Sequence, residues 1–509
     1  MPLLVVETLP DAESKIATTI IPAMASAVPH VLETIARFLP SHDALAAFLH
    51  ALPRDLLTPS MQALSALVEL ALVPTLALDF EVPLAFELHG RLSRDVCALI
   101  QATLPLAPRV HVRYAIYERC DVELLEKYLC DALVEVTIKC SWHPMVLDDA
   151  FFMRDTLLAC PRLERLRIVR GHSSALLDPL WLNALLSVLP RVRHFHFRGY
   201  RLTSVSHTEF ASALLAWLEA PQSLSLALRD VALGLDRQAS PLATALVAAI
   251  GTSTSLQSLR LRDVDLFKYG VSHLPPQLVH LEWDKYAAPS SFPPTLPRTM
   301  ARALLEAAQL RSLGCAQLTS AIDRDMLRPA LSRLTHASIF APQQNIPRLL
   351  RGLPHLRHLE RLDLKRNELT TTQLEAFVRL LRDLPHLRHL NLAENSLEMT
   401  DLQHIFAAHL PLATLNVAYH PCAWNQFVHL VPTLVDAMRT MTRVNVFSQW
   451  WRHEHHVAIL NALATAYGDG AFYVSSHRGS ASIDAKTQSV IASLGLGRQW
   501  QKPQCALLF

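Results

Sequence analysis

From Val136 to Phe472 the chain alternates apolar and polar residues in short bursts, and the bursts recur at a steady interval. Set against the template L-x-x-L-x-L-x-x-N, the central apolar position falls at Val136, Leu166, Phe195, Leu226, Leu259, Leu281, Leu313, Ala337, Leu362, Leu390, Leu415, Val444 and Phe472. Twelve steps cover 336 residues, a mean of 28, with single steps between 22 and 33. The phrase is most regular between residues 358 and 402. There Leu359, Leu362, Leu364, Asn367 and Leu369 are answered by Leu387, Leu390, Leu392, Asn395 and Leu397. Weaker matches at Leu76 and Val112 place the start of the series earlier. Alternation with period two predicts a half-buried strand at each position.

Between the strands lie segments with apolar residues three and four apart. Examples are DPLWLNALLSVLP, TEFASALLAWLEAP, PLATALVAAIGTS and TQLEAFVRLLRDLP. This spacing predicts helices, several of them ending at Pro or Gly. In Thr372-Gln-Leu-Glu375 the Thr can accept from the first turn while the Glu reaches back, a capping box. Asn367 and Asn395 are expected to bond backbone groups where the chain leaves the strand. Other repeats carry Gly171, Tyr200, Val231, Val264 and Tyr286 at that place, so an asparagine ladder is confined to a few repeats. One strand–helix unit cannot bury its own apolar face, so the units must stack.

This pattern resembles the leucine-rich-repeat family, in the ribonuclease-inhibitor-like class with long repeats. The resemblance implies an α/β horseshoe solenoid with a parallel concave sheet and convex helices, used as a protein-binding scaffold. The domain reading that follows is an N-terminal extension (1–27), a helical segment (28–60), the repeat array (61–475) and a C-terminal cap (476–509).

The helical segment VPHVLETIARFLPSHDALAAFLHALP has its own pattern. Val31, Leu32, Ile35, Phe38 and Leu39 make one apolar face that Pro40 stops, and Ser41 or Asp43 can cap a second helix. The order Pro29, Leu32, Ile35, Phe38, Leu39, Pro40, Asp43, Leu45 resembles an F-box, a module that docks on the Skp-type linker of cullin ubiquitin ligases. Where that family continues with a helix bearing Cys and Trp, this chain has RDLLTPSMQALSAL. The resemblance implies linker binding through Pro29, Leu32, Ile35, Phe38, Leu39 and Leu45. The residues alone allow a second role, a helical cap over the apolar edge of the first repeat.

Composition narrows the classes of function. A net charge of +2 gives no bulk field for nucleic acid. The most apolar window, residues 64–86, is broken by Glu69, Pro74, Asp79, Glu81 and Pro83, so no membrane span is expected. Eight cysteines without a Cys-x-x-Cys pair, and a start lacking a basic signal region, predict reduced thiols in the cytoplasm or nucleus. The cluster His453, Glu454, His455, His456 lacks the His-Glu-x-x-His spacing of a zinc protease, and no third ligand accompanies it. No nucleophile elbow, phosphate loop or dinucleotide fingerprint occurs, and Cys505 is fifth from the end where prenylation needs the fourth. The expectation is a non-enzyme without cofactor or metal.

Residues flanking the central strand positions should face outward from the sheet. Reading them in turn gives Arg165 and Arg167, then His194, His196 and Arg198, then Arg229, then Arg260 and Arg262. Four successive strands thus predict a basic stripe suited to an acidic or phosphorylated partner surface. Arg229–Asp230 and Arg262–Asp263 offset it in part.

Overall fold

The computed structural model describes residues 29–37, 42–69, 85–88, 93–106, 109–116, 118–140, 147–170, 179–199, 204–231, 241–262, 273–283, 298–315, 318, 322, 325–340, 345–367, 369–395, 397–419, 424–438, 440–446, 453–467, 472–475 and 505–508. Phe38, Leu39 and the strand expected at Leu76 lie outside them. The chain forms two compact units, Met1–Ala249 with Val264–Tyr269, and Ile250–Asp263 with Gly270–Phe509.

The first unit opens with three helices, α1 (Pro29–Arg37), α2 (His42–Ala51) and α3 (Pro59–Glu69). Leu32, Leu45, Leu49, Met61, Leu64 and Leu67 are buried among them. Thr58 caps α3 by accepting from Met61 N at 3.3 Å, and its hydroxyl donates to Glu33 of α1 at 2.6 Å. Repeats follow as β1 (Ala85–Leu88), α4 (Arg94–Thr103), β2 (Arg109–Ile116), α5 (Arg119–Leu124), β3 (Leu133–Cys140), α6 (Leu147–Ala159), β4 (Arg165–Arg170), α7 (Pro179–Leu186), β5 (His194–Arg198), α8 (Ser204–Glu219) and β6 (Ser225–Arg229). Each strand pairs in parallel with the next, from β1 to β6. Helix α3 packs on α4, so the N-terminal helices lie against the first repeat helix.

The second unit continues the scheme with β7 (Ser258–Arg262), β8 (His280–Trp283), α10 (Arg298–Glu306), β9 (Ser312–Cys315), α11 (Arg328–Leu331), β10 (His336–Ile339), α12 (Ile346–Gly352), β11 (Arg361–Asp363), α13 (Thr371–Leu381), β12 (His389–Asn391), α14 (Met399–Ala407), β13 (Thr414–Asn416), α15 (Trp424–Met438), β14 (Arg443–Asn445), α16 (His453–Tyr467), β15 (Phe472–Ser475) and β16 (Cys505–Leu508). Helix α9 (Pro241–Thr252) lies across the division. Strands β7 to β14 follow one another in parallel order.

The expected central residues meet in register. Val136, Leu166, Phe195 and Leu226 align in the first unit. Leu259, Leu281, Leu313, Ala337, Leu362, Leu390, Leu415 and Val444 align in the second. All are buried on the helix-facing side, which is why apolar residues recur at this position. In the first unit an aromatic cluster fills the space under β5. Phe197 and Phe210 lie 4.7 Å apart, and Trp217 packs on Phe195 and donates to Val192 O at 2.8 Å.

Two expectations change, and one strand is added. The capping box of α13 is formed by Thr370 and Gln373, not Thr372 and Glu375: Thr370 Oγ1 accepts from Gln373 N and Gln373 Oε1 accepts from Thr370 N. The cap therefore lies two residues earlier than expected. Ala85–Leu88, which the template does not mark, pairs with the strand at Val112. At the far end β16 lies between β14 and β15, and the residue of β15 level with Leu507 and Val444 is Val474, not Phe472.

The turn out of the strand is shared where its sequence is not. Gly199, Asp230, Arg366, Glu394 and Tyr419 each stand four residues after the central position, and each has positive φ. Only the first is glycine, at φ 83°. Gly199→Ala is expected to lower stability by about 1 kcal/mol, because a Cβ is disfavoured in the left-handed region. Chemical unfolding measures it, and an unchanged midpoint would show that this turn relaxes freely.

Candidate functional site

Strand residues that alternate with the buried ones share the sheet face away from the helices. In the first unit the register places His111, Glu135, Arg165 and His194 in one row, and Thr137, Arg167 and His196 in the next. Glu135 organises this face. It is 4% exposed, 3.1 Å from His111 Nδ1, 3.5 Å from Arg167, 3.7 Å from Arg113 and 4.0 Å from Arg165. Burial pushes its carboxyl up, but the His111 hydrogen bond and the charges of Arg113 and Arg167 outweigh burial and hold it at about 2. His194, half-buried beside Arg165, is held below the usual imidazole range by burial and then by that charge.

Arg198 and Arg229, level on β5 and β6, both reach Asp230, at 3.6 and 3.3 Å. The sequence reading found these arginines and missed the acid that gathers Arg165 and Arg167. The signal was present: Glu135 flanks Val136 as Arg165 flanks Leu166. In the first unit the stripe is therefore a mixed-charge surface tied down from within.

Arg260 and Arg262 belong to β7 of the second unit. Arg260 Nε donates to His280 Nε2 at 3.0 Å, and His280 Nδ1 meets Ser312 Oγ at 2.7 Å. Arg262, half-exposed, ends the strand. Further along, the face turns to amides. Asn391 and Asn416 each accept from the backbone N–H two residues on, which aims the amide nitrogen outward, and Asn391 Nδ2 donates to Asp363 at 3.0 Å. A groove of about 340 Å³ runs over β8 to β13, with Gly314 and Ser338 in its floor and His336, Arg361 and His389 along one side.

The residues with an F-box-like order divide by depth. Leu32 and Leu45 are wholly buried, Ile35 is half-buried, and Pro29 starts α1. Val31, 39% exposed, is the large apolar side chain of α1 that faces out.

Among the described residues no group of three or more His, Cys, Asp and Glu could hold a metal ion. No described helix is long and apolar enough to cross a membrane. In the His-rich start of α16, His455 Nε2 lies 3.9 Å from Glu454. The open face thus offers hydrogen bonds and charge at regular spacing, which is the chemistry of recognition.

No family model matches the chain, and no curated protein matches it. Among solved structures, the Rad7–Elc1 complex in yeast is similar at 14% identity and a TM-score of 0.42, over 82% of this chain and 95% of that one. The TLR13–ssRNA13 complex is similar at 14% identity and a TM-score of 0.26, over 71% of this chain and 57% of that one. The fold assignment rests on the repeats of this chain. Within each unit, parallel strands, a level apolar row, intervening helices and a shared left-handed turn make a leucine-rich-repeat fold.

Proposed function

We propose that the chain is a protein-binding module without catalytic chemistry, an F-box-like adaptor that recruits a partner through the open sheet face in the cytoplasm or nucleus. The observation that carries recruitment is the polar row on that face. Strand after strand presents Arg, His, Asn or Asp beside a buried apolar neighbour, and the helices leave this side uncovered. Regular, rigidly held polar groups suit a folded partner or an extended segment better than a small molecule.

The adaptor role rests on α1 to α3. Val31 is the exposed apolar anchor a linker would cover, whereas Leu32 and Leu45 hold the helices together. A second reading has its own support: α3 packs on α4, as a cap over the array requires. The two roles are compatible in one segment.

The test uses purified cullin linker and the full chain. Capture by the intact chain and its loss in Val31→Asp, with unchanged circular dichroism, are expected for an adaptor. Linker that ignores the intact chain leaves only the scaffold, with its helices as a cap. Leu32→Asp is unsuitable, since a charge at a fully buried position unfolds the segment.

A further inference from the structure

On the open face of the first unit Arg113, Arg165, Arg167, Arg198 and Arg229 lie beside carboxylates, whereas Arg361 of the second unit lies between two imidazoles. Strands β10, β11 and β12 place His336, Arg361 and His389 level with one another. Neighbouring strands lie about 4.8 Å apart, so the three side chains span roughly 10 Å. Thr335 Oγ1 meets His336 Nδ1 at 2.8 Å, and Thr414 Oγ1 meets His389 Nδ1 at 2.8 Å. Each ring is thereby oriented, with its Nε2 left for an outside group. The backbone N–H of Arg361 donates to Thr335 O at 2.9 Å, while its exposed side chain makes no hydrogen bond or ion pair among the described residues.

The surroundings favour an anion. The row continues to Ser312 on one side and to Thr414 and Arg443 on the other, without a carboxylate. Beside it the floor is low: a Cβ on Gly314 would come within 3.3 Å of Glu282 and 3.4 Å of Ser338. Asp363, the acid nearest along β11, already accepts from Lys365 N and from Asn391 Nδ2, both at 3.0 Å.

We propose that His336, Arg361 and His389 form a site for the phosphate group of a phosphorylated partner segment lying along this groove. The proposal rests on the protein-binding reading above and specifies what the second unit recognises. Arg361 takes two of the three terminal phosphate oxygens as a fork, one imidazole donates through Nε2 to the third, and the other donates to a second lone pair of a fork oxygen. A carboxylate spends both oxygens on the fork and has no third for an imidazole. The phosphate group has a third terminal oxygen, a tetrahedral spread and a second negative charge, so donors converging from both sides of Arg361 find acceptors.

Binding takes up protons. In the free chain, burial and then Arg361 hold His336 below the usual imidazole range, and the same causes together with His336 depress His389. Glu360 opposes this at both rings. His280 and Glu282 on β8 and Asp363 on β11 line the same groove, and Arg443 on β14 continues the row beyond Thr414. A dianion between the rings favours their charged forms, so affinity rises as pH falls from 8 towards 6.5.

The test titrates the full chain with inorganic phosphate, then with a phosphoserine peptide and its aspartate counterpart, at constant ionic strength. The readout is the imidazole resonances, assigned with His336→Asn and His389→Asn. Saturable shifts of both rings with phosphate, tighter binding of the phosphoserine peptide, and about tenfold weaker binding in Arg361→Gln are expected. Arg361 is exposed, so that variant keeps the fold. Resonances that do not move, or an Arg361→Gln chain that binds as before, overturn the site. Aspartate peptide binding equally well overturns phosphate as the ligand, and a peptide no tighter than free phosphate overturns the protein segment. Capture of linker or partner does not enter this titration, so the site can fail while the module reading stands.

Discussion

Asn395→Leu lowers the unfolding free energy by about 3 kcal/mol, the sum of three buried backbone groups left without partners at about 1 kcal/mol or more each. Asn395 is fully buried. Its Oδ1 accepts from Asn367 N at 2.7 Å, and its Nδ2 donates to Leu364 O and Leu392 O, both at 2.8 Å. Leucine matches the volume and supplies none of these bonds. Asn367→Ala is milder, since that amide donates chiefly to Ile339 O at 2.9 Å. Guanidinium unfolding followed by circular dichroism gives the difference directly. A loss under about 1 kcal/mol for Asn395→Leu would mean that water enters the turn and replaces the amide.

Glu135→Gln is the second large effect, and it carries a pH signature. The folded carboxyl is held at about 2 against an ordinary 4.5. Linkage therefore assigns it about 3 kcal/mol of stability at neutral pH. Because the folded value is depressed, this stability is complete above about 4.5 and is lost as pH falls towards about 2. The variant is less stable by about that amount at pH 7, where His111, Arg113, Arg165 and Arg167 face one another without their acid. Its stability also changes less than the intact chain's between pH 4.5 and 2. Parallel curves for the two chains across that interval would sink the assignment.

What the sequence disclosed follows from which signals are local. The buried positions from Leu166 to Val444 were readable because burial on one side of a strand imposes a period of two, whatever the neighbours are. The Asn367 and Asn395 turns were readable because the amide bonds its own repeat and the adjacent one. The shared turn conformation at Asp230, Arg366, Glu394 and Tyr419 was not, since positive φ there is enforced by the ladder around it and glycine is used at Gly199 alone. Charges on the open face were legible as residues but not as pairs. Glu135 and the arginines it holds come from β2, β3 and β4, so their balance exists only once the strands are side by side. Likewise Arg361 reads as one of many arginines until the register shows that imidazoles, not carboxylates, flank it.

The order of the last three strands has a consequence for how the molecule is assembled. Through most of the second unit each new repeat can dock on its predecessor as soon as it leaves the ribosome. Strand β15 cannot, because its partner in the sheet is β16, which is made later and must first find β14. Synthesis and docking run in opposite directions at this end. A ribosome stalled before residue 505 would hold a chain whose β14 edge is bare and whose β15 has no template, a state exposed to edge-to-edge pairing with other chains.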